Sequence, residues 1–126
     1  MQTNFFSPQS EWLPPKNFPD LSDAKEIAFD LETKDPQLKT RGPGWMTNNG
    51  HIIGVAVAVD GWKGYYPIRH ENGFNFDPGR VLKWTAKILS TDAIKIAHNA
   101  VYDLGWLHAE GIKVNGPIVD TMSMAT

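Results

Sequence analysis

The sequence predicts an α/β domain built on a mixed sheet, and three of its features carry that prediction. Residues 27–31 form a compact apolar run interrupted by one acid, which suits a buried central strand. Residues 52–59 are rich in β-branched side chains and end at Asp60-Gly61, with a second strand-like run at 62–67, the pattern of a hairpin. A helical stretch from residue 78 then leads into a short apolar strand at 93–97, which implies a right-handed crossover and parallel pairing. The result is an antiparallel meander continued by a parallel strand, with flanking helices.

Each element has its own signal. The first 25 residues contain Pro8, Pro14, Pro15 and Pro19 and read as an extended N-terminal arm, with Trp12 and Leu13 as the side chains expected to pin it. The folded unit is expected over residues 26–126. After the first strand, Pro36, Gly42, Pro43, Gly44 and the Asn48-Asn49-Gly50 turn signal mark a long loop. Asp77-Pro78 supplies a helix N-cap and a first-turn proline, and Val81, Leu82, Thr85, Ile88 and Leu89 follow at helical spacing. Residues 99–110 form a second helix closed by Gly111 as its C-cap. Residues 112–119 look short and irregular, and a further helix is expected to open at Thr121.

Composition narrows the function. With 126 residues, 41% of them apolar, the chain suits one globular domain. A formal net charge of −2 argues against a broadly basic, non-specific nucleic-acid binder. It leaves room for an enzyme that meets phosphates through metal ions. The absence of cysteine excludes disulfides and a thiolate zinc site. The first ten residues lack the basic segment and apolar run of a secretory signal. No stretch approaches the roughly 20 apolar residues that span a bilayer. A cytoplasmic location without a membrane partner is therefore expected.

Asp30 and Glu32 are two apart on the first strand, so their side chains leave one face with backbones roughly 6–7 Å apart. Two ionised carboxylates at that distance repel by roughly 2–3 kcal/mol at an effective dielectric of about 20. A divalent cation between them reverses the sign, and hard oxygen ligands suit Mg²⁺ or Mn²⁺. The plainer alternative is that Glu32 lies just past the strand end and points into water. Asp103 falls in the first turns of the helix that follows the second central strand, where it is expected to face Asp30. Its plainer reading is an acid favoured by the helix dipole.

The segments around these acids are specific. Phe29-Asp30-Leu31-Glu32-Thr33, followed by His98-Asn99-Ala100-Val101-Tyr102-Asp103-Leu104-Gly105-Trp106-Leu107, resemble the first two motifs of the DEDD 3′–5′ exonucleases. The likeness is strongest to the proofreading domain of family A DNA polymerases in forms typical of bacteria and bacteriophages. It runs from about Trp12 to the last residue and includes the Gly42-Pro43-Gly44-Trp45 loop and Asp120-Thr121. The resemblance implies a ribonuclease H-like fold and hydrolysis of terminal phosphodiesters with two divalent cations, Mg²⁺ or Mn²⁺. Asp30 would bridge both ions, Glu32 would bind the nucleophile-side ion, and Asp103 would hold the other. Thr33, Asn99 and Tyr102 match positions near the terminal nucleotides, and Leu31 one that wedges against the terminal base. Tyr102 is equally a candidate buried aromatic, and Leu31 a candidate core leucine. The implied partners are a single-stranded DNA 3′ end and a polymerase domain, in the cytoplasm of a bacterial or phage-infected cell.

The family also carries a fourth carboxylate, with a Tyr or His, on a later helix. The sequence reaches Thr126 without that motif, so the resemblance implies a C-terminally truncated, partial domain over 26–126. A complementing C-terminal segment or self-association would complete it and cover Met122, Met124 and Ala125. Alone, the chain is expected to bind Mg²⁺ or Mn²⁺ and to hydrolyse DNA slowly or not at all. Asp120 suits an N-cap for the helix at Thr121 better than a metal ligand. His98 reads as a loop histidine, and His51, His70 and His108 show no ligand spacing. Trp45, Trp62, Tyr65 and Tyr66 offer base-stacking surfaces or, more ordinarily, core aromatics. Two other functions remain open: an inactive remnant serving as an interaction module, and a related exoribonuclease.

Overall fold

The computed structural model describes residues 13–124, and the chain in that range folds around one five-stranded sheet in the order β3-β2-β1-β4-β5. The central strand β1 (Glu26–Lys34) is antiparallel to β2 (His51–Val59), which turns at Asp60-Gly61 into β3 (Trp62–Pro67). On its other side β1 pairs in parallel with β4 (Ile94–Ala97). The mixed sheet and both expected hairpin strands are thus present. Gly61 takes φ +85°, the left-handed conformation that the turn requires.

Strand alternation sets the core. Phe29 opposes Val57, Leu31 opposes Val55, and Val55 opposes Tyr66, so one face of the sheet is apolar and buried. Helix α3 (Pro78–Leu89) adds Val81, Trp84, Ile88 and Leu89 to that core. The Asp77 side chain caps α3 by accepting from the Arg80 N–H at 2.9 Å. Helix α4 (Ala100–Ala109) contributes Ala100, Trp106 and Leu107. Gly111 follows it at φ +78°, and Gly111 and Ile112 return N–H bonds to His108 and Leu107.

Three expectations need correction. Leu13 does not pin the arm, since it is 78% exposed, and Trp12 lies outside the described residues. The anchoring falls to Phe18, stacked on Tyr66 with ring centroids 5.0 Å apart, and to two backbone carbonyls. Those carbonyls, Asn17 O and Pro19 O, accept from the Tyr66 hydroxyl and the Trp84 indole. The loop after β1 contains two single-turn helices, α1 (Leu38–Arg41) and α2 (Gly44–Thr47). Residues 112–119 are not wholly irregular, because Ile118 and Val119 begin a fifth strand, β5 (Ile118–Asp120), parallel to β4. The last helix, α5 (Thr121–Met124), opens where expected. Met122 there is 51% exposed, while the Met124 side chain and Ala125 lie outside the described residues. No helix among the described residues is long and apolar enough to cross a membrane.

Lys95 holds the β4–β5 edge together. Its side chain is wholly buried, and its ammonium donates to the carbonyls of Thr91, Ala93 and Asn115. Burial lowers its pKa from the usual lysine value. Replacing Lys95 with methionine keeps the stem and orphans three carbonyls, so a loss of about 2–4 kcal/mol in urea unfolding is expected. An unchanged midpoint would show that water satisfies those carbonyls equally well.

Candidate active site

The site forms where β1 outruns β4. Parallel pairing ends at Ala28↔Ile96, so the following residues of β1 have no strand beside them on that edge. The start of α4 fills the space. Asp30 and Glu32 lie on the sheet face opposite the Phe29–Leu31 core, across from Ala56 and Gly54 of β2, neither of which crowds them. Glu32 is inside the strand and half exposed, so it belongs to the pair on that face rather than to a loop beyond it. A register shift between Glu32 and Thr33 marks a bulge at this point.

Asp103 sits in the core-facing stripe of α4 with Ala100, Trp106 and Leu107. It is 3% exposed, and its Oδ2 has no hydrogen-bond partner among the described residues. Burial first, and then the charge of Asp30, push its carboxyl up to about 7, with the Leu31 N–H pulling the other way. Asp30 is raised as well, by burial and by Glu32, against the opposing effects of the Leu31 N–H and His98. The structure therefore brings Asp30 and Asp103 within electrostatic reach of each other. It does not gather a cage, since among the described residues no three His, Asp or Glu side chains are close enough to hold one ion together.

The start of α4 is set from a distance. Asp120, at the end of β5, accepts from the backbone N–H groups of Asn99 at 3.0 Å and Ala100 at 3.1 Å. It also accepts from Met122 at 3.0 Å, as expected of an N-cap for α5. Burial acts upward on Asp120, but the three amides outweigh it and hold its carboxylate below the usual range. Asn99 adopts φ 62° and ψ 61° before the helix, a conformation asparagine tolerates better than most residues, and its side chain is exposed. His98 lies in the same loop, its Nδ1 3.1 Å from the Thr121 hydroxyl.

The other expected contact residues divide. The Tyr102 hydroxyl donates to Asp35 Oδ2 at 2.7 Å and lies 3.0 Å from the Thr33 hydroxyl, which therefore donates to it. Asp35 also accepts from Gly44 N–H at 3.1 Å, so Tyr102 and Thr33 join α4, β1 and the α1–α2 loop. Leu31 is turned to the buried face, as a residue between Asp30 and Glu32 must be, and is packed in the core. A wedge formed by its side chain is thus not seen here, and its backbone N–H is what reaches the site.

Sequence reasoning gave His70 and Gly54 no place in this site and raised Tyr65 only as a base-stacking or core aromatic. The Tyr65 hydroxyl donates to Glu32 Oε2 at 3.0 Å and lies 2.6 Å from His70 Nε2. His70 Nε2 is also 3.9 Å from Glu32 Oε1. Burial, with the nearby Glu32 and Asp30 carboxylates, raises the Tyr65 pKa and keeps its proton available for donation. Tyr66, by contrast, is fully buried in the core. Alternation within Tyr65-Tyr66 was the available signal, since adjacent strand residues must face opposite sides.

A mixed α/β sheet with two carboxylates on its central strand and a third buried at a neighbouring helix start defines an acidic-site α/β protein. Over 86% of its length the chain is 38% identical to a DNA-directed DNA polymerase of Pseudomonas phage M6. It spans 17% of that polymerase's length. No family model matches the chain. The chain is accordingly related to one part of a phage DNA polymerase.

Proposed function

We propose that the chain is the acid-bearing part of a proofreading 3′–5′ exonuclease of ribonuclease H-like fold, acting beside a polymerase on single-stranded DNA 3′ ends. The observation that carries this reading is the buried Asp103 carboxyl, whose Oδ2 has no hydrogen-bond partner among the described residues, within electrostatic reach of Asp30 where β1 outruns β4. A fold does not bury a lone carboxylate oxygen for stability, because desolvation without a partner is costly. The oxygens of Asp30, Glu32 and Asp103 are hard donors that fit Mg²⁺ or Mn²⁺, and Asp103 Oδ2 is free to take one. Two such cations would activate a water and stabilise the charge on phosphorus and on the leaving 3′ oxygen.

The chain's own residues hold and orient. Asp30 and Asp103 hold charge in a partly dry setting, and the Leu31 N–H steadies both carboxyl groups. Asn99, Thr33 and Tyr102 supply polar groups around the carboxylates for the terminal nucleotides. Thr33 and Tyr102 exchange their present mutual bond for contacts to the strand.

A second reading, an interaction module that does not hydrolyse, is favoured by the lack of a gathered three-ligand cage among the described residues. Digestion of a 3′-labelled single strand with Mg²⁺ or Mn²⁺, run beside Mn²⁺ titration, separates the two. Slow, metal-dependent shortening from the 3′ end is expected from the chain alone. Mn²⁺ binding with no shortening would instead support the module, and RNA cleaved in preference to DNA would point to an exoribonuclease.

A further inference from the structure

We propose that Tyr65 and His70 are positioning residues that fix the Glu32 carboxylate for cation binding, through a hydrogen-bond chain crossing β2 over Gly54. This rests on the metal-dependent reading above and adds to it the part played by β3 and the loop after it. The geometry is directional. Tyr65 has one proton and gives it to Glu32 Oε2, so the 2.6 Å contact with His70 requires His70 Nε2 to be the donor. The chain therefore runs from His70 N–H to the Tyr65 oxygen, and from the Tyr65 O–H to Glu32.

Both supports are themselves fixed. Tyr65 is 5% exposed. The backbone of His70 is clamped by Asn75, which accepts from His70 N at 2.8 Å and donates to His70 O at 3.0 Å. Glu32, by contrast, has a half-exposed side chain with three rotatable bonds, and left alone it would sample many rotamers. The Tyr65 hydroxyl engages Oε2, and Oε1 lies 3.9 Å from the His70 ring.

Gly54 supplies an independent observation. Tyr65 stands on β3 and Glu32 on β1, with β2 between them, and Gly54 is the residue of β2 directly opposite Glu32. A Cβ on Gly54 would run into the Tyr65 hydroxyl and ring. The phenol reaches Glu32 only because the strand it crosses carries no side chain there. A tyrosine needed merely for packing has no use for a path to an exposed carboxylate.

The test is Mn²⁺ binding to the full chain by titration calorimetry, with metal-free thermal unfolding as a control. Tyr65→Phe keeps the ring and removes the proton, and is expected to weaken Mn²⁺ binding about 10- to 100-fold, the usual effect of losing an outer-shell partner. Gly54→Ala should do the same by displacing the phenol. His70→Ala should weaken binding, whereas His70→Gln, which retains an N–H donor, should recover most of it. That rescue is what a purely structural role would not give, and the His70 pair decides the matter if Tyr65→Phe fails to fold. Tyr65→Phe and His70→Ala both binding Mn²⁺ within about twofold of the parent, while Asp30→Ala has lost it, would overturn the positioning role alone. No Mn²⁺ binding by the parent chain would overturn the metal-site reading and this role with it.

Discussion

Asp103→Asn is expected to stabilise the metal-free protein at pH 8 and to abolish its stabilisation by Mn²⁺. The sign follows from the direction of the shift. Asp103 has its carboxyl pushed from 3.8 up to about 7 in the fold, by burial and by Asp30. A raised carboxyl binds more protons folded than unfolded, so its contribution is complete below about pH 4 and is lost as pH rises to about 7. At about 1.4 kcal/mol per pKa unit, the ionised parent is destabilised at pH 8 by on the order of 2–4 kcal/mol. Asparagine carries no such charge, so the variant should melt roughly 5–15 °C above the parent at pH 8, with the gap closing toward pH 4. With Mn²⁺ present the order should reverse if the proposed metal site is right, because only the parent keeps the carboxylate proposed to take the ion. Unfolding curves in EDTA and in Mn²⁺ at both pH values check this. Equal midpoints at pH 8 in EDTA would mean that Asp103 is not a buried charge.

The second large effect is expected at Asp30. It shares its strand face with Glu32 and its electrostatic surroundings with Asp103, so Asp30→Ala removes the group common to both neighbours. Mn²⁺ affinity and the rate of 3′ shortening should each fall by about 100- to 1,000-fold, the scale seen when one transition-state stabiliser is removed. The change should also relieve Asp103, whose carboxyl would titrate closer to the ordinary range in a carbon-detected NMR titration. Shortening undiminished in Asp30→Ala would sink the catalytic assignment. An Asp103 titration unchanged by the substitution would show that burial alone sets it.

Much of this arrangement was legible because local chemistry and tertiary context agree. Asp60-Gly61 marked the hairpin, and β3 occupies residues 62–67 as that signal suggested. Asp77-Pro78 marked the start of α3, where the aspartate does cap the helix. Asp30 and Glu32 were found through their spacing on the strand and Asp103 through motif context, while their mutual placement follows from where β4 stops. What stayed hidden depends on distance. Strand β5 has three residues after a proline, too few to show a period, and it exists because β4 and the Lys95 clamp receive it. The loop helices α1 and α2 are single turns, and Asp35 ties the start of α2 back to Tyr102, 67 residues away. Tyr65 and His70 looked like an ordinary hairpin aromatic and a spare histidine. Their relation to Glu32 appears only when β2 and β3 are in register and Gly54 lies between them.

Asp120 also orders events in time. Helix α4 has ten residues, fewer than the roughly 12–15 at which an isolated helix becomes even marginally stable in water. The amides of Asn99 and Ala100 at its start are secured by a carboxylate that follows Ala100 by twenty positions. On the ribosome, Asp30 and Glu32 emerge early and the β2–β3 hairpin that supports them soon after. Asp103 precedes Asp120 in the chain, so the amide partner at the start of its helix exists only once residue 120 has been made. The first two carboxylates thus lie on a hairpin-supported strand early in the chain, while the third depends on a strand that follows it in sequence.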